Sequence, residues 1–272
     1  MDALVSTEWL AAQLGSSDLR VADASWFLPE QGRDGAAEFA EGHIPGAVFM
    51  DLDAFANVAS SLPSMLPSSE QLASRMQALG LGDGVRIVIY DDSPLHTSAR
   101  AWWMIQAFGT PDVAILDGGL AKWKAEGRPL EPGEAAPKRR HFTVRRAAEG
   151  VVTIDLMRTT DAQIVDARGP ARFAGSEPEP RPGVVPGHIP GSRNLPYARF
   201  FEADGTWKQG DDLRAVFDGV DLNAPVVATC GSGITAAVPV FAAHLLGHRI
   251  ALYDGSWAEW GGDPSTPKAT GA

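Results

Sequence analysis

The sequence is poor in cysteine, in net positive charge and in long apolar runs. One residue of 272 is cysteine, so Cys230 has no intramolecular disulfide partner and a cysteine-rich metal site is excluded. The 23 basic residues are outnumbered by 34 acidic ones, and the formal net charge of −11 repels nucleic acid and anionic membrane surfaces. Any anionic ligand must therefore be held by a local cluster of cations or backbone amides. No apolar run approaches the roughly 20 residues of a membrane-spanning helix. The opening MDALVSTEWLAAQL has neither the basic head nor the cleavage site of a secretory signal. These features predict a soluble, cytoplasmic protein with no nucleic-acid or membrane partner. At 44% hydrophobic and 21% charged, the chain suits one large or two medium globular domains.

What is present is an internal repeat. Four signals recur in the same order, about 140 residues apart. LRVADASW near Val21 answers QIVDARGP near Val165, and EFAEGHIPGAVFMDL around His43 answers GVVPGHIPGSRNLPY around His188. IVIYDDS ending at Ser93 answers VVATCGS ending at Ser232, and ILDGGLAKW ending at Trp123 answers LYDGSWAEW ending at Trp260. Short β-branched runs such as VRIVIY and PVVAT alternate with helical stretches such as SARAWWMIQAFG and ITAAVPVFAAHLLG. This alternation predicts an α/β fold in which each copy is a mainly parallel central sheet flanked by helices. The Pro-, Gly- and charge-rich stretch EPGEAAPKRRHFTVRRAAEG places a solvated linker at 131–150, between domains 1–130 and 151–272.

The segment PVVATCGSGITAA, running from Pro225 through Cys230, carries the chemistry: a buried strand ends at the thiol and a glycine-rich turn opens a helix. Gly231 and Gly233 permit a backbone that aims successive N–H groups into one concavity, a nest for anions. Those groups and the helix dipole favour a thiolate and would hold an anionic sulfur intermediate or leaving group. A buried cysteine that serves only as core filler is the plainer alternative, but it does not need Gly-Ser-Gly after it. A nucleotide phosphate loop would need a lysine that is missing. A cysteine phosphatase would need an arginine six positions after the nucleophile, where this chain has Ala236. In the first copy Asp91, followed by Asp92, takes the position of Cys230, so that copy has no sulfur nucleophile and is expected to be structural or pocket-lining.

With the repeat and the loop established, the sequence resembles the rhodanese family, most closely its 3-mercaptopyruvate sulfurtransferases. The resemblance runs from DASW at Asp23 through GHIPG, ARAWW, EPEPR and CGSGITAA to the final DGSWAEW. It implies two tandem rhodanese-like domains, with the active cysteine in the second. It further implies a ping-pong reaction in which Cys230 takes sulfur from a small anionic donor as a persulfide. The sulfur then passes to a thiol acceptor such as thioredoxin or a low-molecular-weight thiol, or to cyanide, with no metal or organic cofactor. Gly231, Gly233, Ile234 and Thr235 are expected to line the donor site. The neutral Gly231 and Ser232 suit mercaptopyruvate better than thiosulfate, whose users commonly carry cations directly after the cysteine. Arg172 and Arg181, at motif positions that bind the substrate carboxylate and ketone in the mercaptopyruvate enzymes, are expected to do so here.

In many of those enzymes an Asp, a His and the loop serine form a relay that activates the substrate thiol. This chain retains Asp53 and Ser232 but has Ser64 at the histidine position, so the relay is either broken, replaced by water held between Asp53, Ser64 and Ser232, or never essential because the mercaptan can ionise against the loop amides. A non-enzymatic rhodanese-like binding module is the competing class, and the presence of the nucleophile argues against it. His43 and His188 occur in both copies and therefore read as parts of a shared turn. Asp166 and Arg168 read as a local pair, and Trp102, Trp103, Trp123, Trp257 and Trp260 as core. Trp26 is left as a residue able to wall the cleft.

Overall fold

The computed structural model describes every residue except Pro111, Ala147 and Ala272. The chain forms two compact units. The first comprises Met1–Asn57, Leu66–Glu149 and Phe201–Trp207; the second comprises Val58–Met65, Gly150–Phe200 and the chain from Lys208 onward.

The first unit holds β1 (Leu4–Val5), β2 (Leu19–Asp23), β3 (Ala47–Phe49), β4 (Arg86–Tyr90) and β5 (Val113–Leu116). Its helices are α1 (Thr7–Gln13), α2 (Gly35–Glu41), α3 (Leu52–Phe55), α4 (Ser69–Ala78), α5 (Ser98–Ala107) and α6 (Gly119–Ala125). The second unit holds β6 (Val151–Val152), β7 (Gln163–Asp166), β8 (Arg193–Asn194), β9 (Val226–Thr229) and β10 (Ala251–Tyr253). Its helices are α7 (Ile154–Met157), α8 (Pro170–Ala174), α9 (Gly210–Val216), α10 (Ala237–Leu245) and α11 (Ser256–Trp260). The sheet orders are β1-β5-β4-β2-β3 and β6-β10-β9-β7-β8, and every pairing is parallel. The two orders are the same permutation, so the repeat seen in the sequence is a repeat of topology.

Burial explains the strand composition. In β9 all four residues are buried, and in β4 all but Arg86, because helices cover both faces of a parallel sheet and leave no polar side to alternate with. α10 is apolar nearly all round for the same reason. Pro239 is tolerated in its first turn, where an N–H has no carbonyl to meet. All five tryptophans expected in the core are 4% exposed or less. The GHIPG turns are equivalent down to single atoms: His43 Nδ1 pairs with the Phe39 carbonyl at 2.8 Å and His188 Nδ1 with that of Phe173 at 2.9 Å. Each imidazole stacks on that same phenylalanine, at 3.8 and 3.9 Å. Both histidines are turn anchors.

The charge-rich stretch after Leu130 is pinned to the first unit. Phe142 is buried, Thr143 donates to Asp83 at 2.6 Å and the Asp83 N–H donates to the His141 carbonyl at 2.7 Å. The segment Phe201–Trp207 completes the same unit, with Phe201 stacked on His96 at 3.4 Å and the Trp207 N–H on Asp117 at 2.8 Å.

The repeats differ in how they treat one buried carboxylate. Asp166 in β7 is paired with Arg168, whereas its counterpart Asp23 in β2 has Ser25 at the arginine position. Burial, together with the nearby Asp91, pushes the Asp23 carboxyl up to about 6 from 3.8, against hydrogen bonds from Ser25 and Tyr90 that pull it down. A raised carboxyl contributes stability that is complete below its unfolded value and is lost as pH rises through the folded one. Between pH 4 and 7.5 this loss amounts to about 2.4 kcal/mol, at roughly 1.4 kcal/mol per unit. Asp23→Asn is therefore expected to be stabilised relative to the parent at pH 7.5 by about that much more than at pH 4. Urea denaturation at the two pH values checks this; an equal stability difference at both would contradict it.

Candidate active site

The candidate site is built where β9 stops. Cys230 directly follows this strand and is 1% exposed. Residues 231–236 turn into α10, with Gly233 at φ 80°, a left-handed conformation that costs glycine nothing. The loop is held by its carbonyls from the neighbouring strand end. The Trp257 N–H donates to the Cys230 carbonyl at 2.9 Å and the Ala258 N–H to that of Gly231 at 2.8 Å. The Cys230 N–H donates to Ser256 Oγ at 3.2 Å, and that hydroxyl donates to the Tyr253 carbonyl at 2.8 Å. The N–H groups of Gly231, Ser232, Ile234 and Thr235 donate to no acceptor among the described residues. Four amide donors without an acceptor in one turn are the raw material of an anion nest of the kind the Gly-Ser-Gly spacing predicts.

Arg172, on α8, lies against this loop. Its Nη2 and Nη1 are 3.1 and 3.5 Å from where a Cβ on Gly231 would sit, so the glycine at 231 makes room for the guanidinium. Arg172 Nη2 donates to Glu179 at 2.5 Å. Glu179 in turn accepts from Arg168 Nη1 at 2.7 Å, and Arg168 is bonded to Asp166 and to the Gly187 carbonyl. Arg168 packs 4.7 Å from the Trp257 ring. Burial works to lower the Arg168 pKa, but the charges of Asp166, Glu179 and Cys230 outweigh it and the net shift is upward. The expected Asp166 and Arg168 pair is thus the inner half of a larger network. Arg181 opens the 181–184 turn of the same unit, half-buried.

The second unit thus contains Cys230, Gly231, Ser232, Gly233, Ile234, Thr235, Arg172 and Arg181, together with Ser64 from Val58–Met65. Ser64 has a left-handed backbone, φ 58°. Asp53 lies in α3 of the first unit. Two residues of this region escaped the sequence reading. Glu179 looks like one of several solvated carboxylates in GSEPEPR, yet its side chain is 4% exposed. Ser256 has φ 50°, and the internal repeat carried the signal, since its counterpart Gly119 is a glycine at φ 56°.

In the first unit the same loop closes on itself. Asp91 accepts from the N–H groups of Ser93 at 2.9 Å and Ser98 at 2.8 Å, so its own carboxylate takes amide donors of the turn.

Comparison with known proteins places this architecture. The rhodanese-like domain family matches residues 6–126 and 153–263, and the chain belongs to that family through two copies of the domain. It is 42% identical over 271 residues to the human 3-mercaptopyruvate sulfurtransferase, covering 95% of this chain and 91% of that one. It is 39% identical to the thiosulfate sulfurtransferase of Cricetulus griseus, over 95% of this chain and 91% of that protein. Among solved structures, SseA from Escherichia coli, a 3-mercaptopyruvate sulfotransferase with the rhodanese fold, superposes with a TM-score of 0.84 at 37% identity, covering 94% of this chain and 99% of that one.

Ser256 provides a direct test of the loop geometry. Ser256→Ala leaves the buried Cys230 N–H without its acceptor, at about 1–3 kcal/mol, and keeps the left-handed backbone. Ser256→Gly loses the same bond but relieves roughly 1–2 kcal/mol of backbone strain. The glycine variant is expected to be the more stable of the two by denaturation, with turnover lowered in both. An alanine variant as stable and active as the parent would contradict the role given to this hydroxyl.

Proposed function

We propose that the protein is a sulfurtransferase that moves sulfane sulfur from 3-mercaptopyruvate to a thiol acceptor through a Cys230 persulfide. The observation that carries this reading is the neutral amide nest around a buried cysteine, with one guanidinium laid over Gly231. The Cys230 thiolate attacks the donor sulfur, the S–S bond forms and the C–S bond breaks. The electron pair stays on carbon as the pyruvate enolate, and the donor's thiol proton ends on that carbon to give pyruvate. The loop amides stabilise the developing anions without reorganising. A thiolate acceptor, such as thioredoxin or a small thiol, then attacks the outer sulfur and releases the Cys230 thiolate; cyanide serves the same purpose in vitro. Such acceptors and a free cysteine suit a reducing, cytoplasmic setting.

The relatives support this choice of donor, with 42% identity to the human 3-mercaptopyruvate sulfurtransferase against 39% to a thiosulfate sulfurtransferase. Loop chemistry favours mercaptopyruvate: positions 231 and 232 are uncharged, and Arg172 with Arg181 offers planar forks for a carboxylate and ketone. Ser232 and Thr235 hydroxyls, on the loop that carries Cys230, are suited to handling the thiol proton.

Three outcomes are expected. Cys230→Ser abolishes transfer from either donor while the fold persists, and any residual transfer would refute the mechanism. Arg172→Ala or Arg181→Ala lowers kcat/KM for mercaptopyruvate by about 1.5–3 kcal/mol for each lost charge-assisted bond. Equal losses with thiosulfate would assign these arginines to the scaffold instead. Ser64→His meets little backbone resistance, since histidine tolerates positive φ better than most residues. If the missing base limits sulfur loading, it raises mercaptopyruvate turnover at pH 7, by up to roughly 10²-fold, and leaves thiosulfate, which has no thiol proton, unchanged. An unaltered mercaptopyruvate rate in a folded variant, with loading shown to be rate-limiting, would mean that no base is needed.

A further inference from the structure

Arg168 and Arg172 are joined by one carboxylate but are held very differently. Arg168 is buried and its donors are nearly used up by Asp166, the Gly187 carbonyl and Glu179. It belongs to the frame of the loop itself, because it packs on Trp257, whose N–H holds the Cys230 carbonyl. Arg172 has a side chain 28% exposed and stands on a five-residue helix. Its Nε is buried without a partner, its Nη1 donates to nothing among the described residues, and its single ion pair there is with Glu179.

We infer that Glu179 is a positioning residue that holds Arg172 against the Cys230 loop and acts on the donor only through that guanidinium. Glu179 Oε1 is fixed by Arg168 and Oε2 by Arg172, so the carboxylate transfers the immobility of the inner arginine to the outer one. Without that tether a flexible arginine at the rim turns towards water, where its charge is better solvated. With it, one edge of the fork is engaged by Glu179 and Nη1 stays free to donate over Gly231. The order of charges, Asp166, Arg168, Glu179, Arg172, alternates in sign and sums to zero, so the added carboxylate lets a second cation stand beside the first without repulsion. A held cation loses less freedom when it binds an anion, and the effect falls on donor binding.

This inference rests on the mercaptopyruvate reading, and the experiment separates the two. Steady-state kinetics with mercaptopyruvate are measured for the parent, Arg172→Ala, Glu179→Gln and the double variant. Glu179→Gln is expected to raise KM about tenfold with kcat within about twofold, on the scale of one charge-assisted hydrogen bond. The double variant is expected to be no worse than Arg172→Ala alone, because the effect of Glu179 passes through the missing guanidinium. Penalties that multiply in the double variant, or a Glu179→Gln variant with unchanged KM, would overturn the inference while leaving the donor reading intact. An unchanged KM in Arg172→Ala would overturn both. Should the Gln variant fail to fold, Glu179→Asp keeps the negative charge beside Arg168 but is one methylene too short to span both arginines. It is then expected to show the same KM rise, and a normal KM would overturn the inference equally.

Discussion

The catalytic end of this fold depends on a single backbone constraint: the carbonyl at the tip of a central strand is held by an N–H from the turn after the neighbouring strand. In the second unit Trp257 holds Cys230 in this way at 2.9 Å, and in the first Leu120 holds Asp91 at 3.0 Å. With that carbonyl engaged from behind, the N–H groups of the following turn are left to find other acceptors. The constraint is indifferent to which side chain stands there. It stands in both units, and what each unit does with it is decided by the residues grafted on.

Three substitutions between the repeats show how. Asp91 accepts from amides of its own loop with its carboxylate, whereas the Cys230 loop keeps the N–H groups of Gly231, Ser232, Ile234 and Thr235 without an acceptor among the described residues. Gly119 becomes Ser256, at the expense of a strained backbone, and supplies the acceptor for the Cys230 N–H. Ser25 becomes Arg168, which neutralises the buried Asp166 and starts the chain of alternating charges that ends at Arg172. The first unit, without that arginine, keeps a buried carboxyl whose pKa is raised by the burial. Fold and chemistry are therefore separable here: the same topology carries a loop whose amides are taken by a resident carboxylate in one copy and have no such partner in the other.

Much of this was legible in the sequence because the relevant signals are local. Paired motifs gave the repeat, glycines flanking a serine after a β-branched run gave the loop, and a GHIPG in both copies marked the histidines as structural. Glu179 was hidden because a run of Glu and Pro between arginines reads as solvated surface, and only tertiary packing buries one of its carboxylates. The left-handed backbone of Ser256 is equally silent in its own motif and emerges only beside Gly119. The packing of Phe201–Trp207 with the first unit and of Val58–Met65 with the second rests on long-range contacts that no short-range pattern encodes.

The central claim is that sulfur resides covalently on Cys230 between two half-reactions. The most direct measurement is the intact mass of the protein after mercaptopyruvate is added without any acceptor, followed by peptide mapping. The account predicts the gain of one sulfur atom, located on the peptide containing Cys230, with pyruvate formed in equal amount, and its removal when a thiol is supplied. A protein that turns over mercaptopyruvate yet never carries the added sulfur would contradict it.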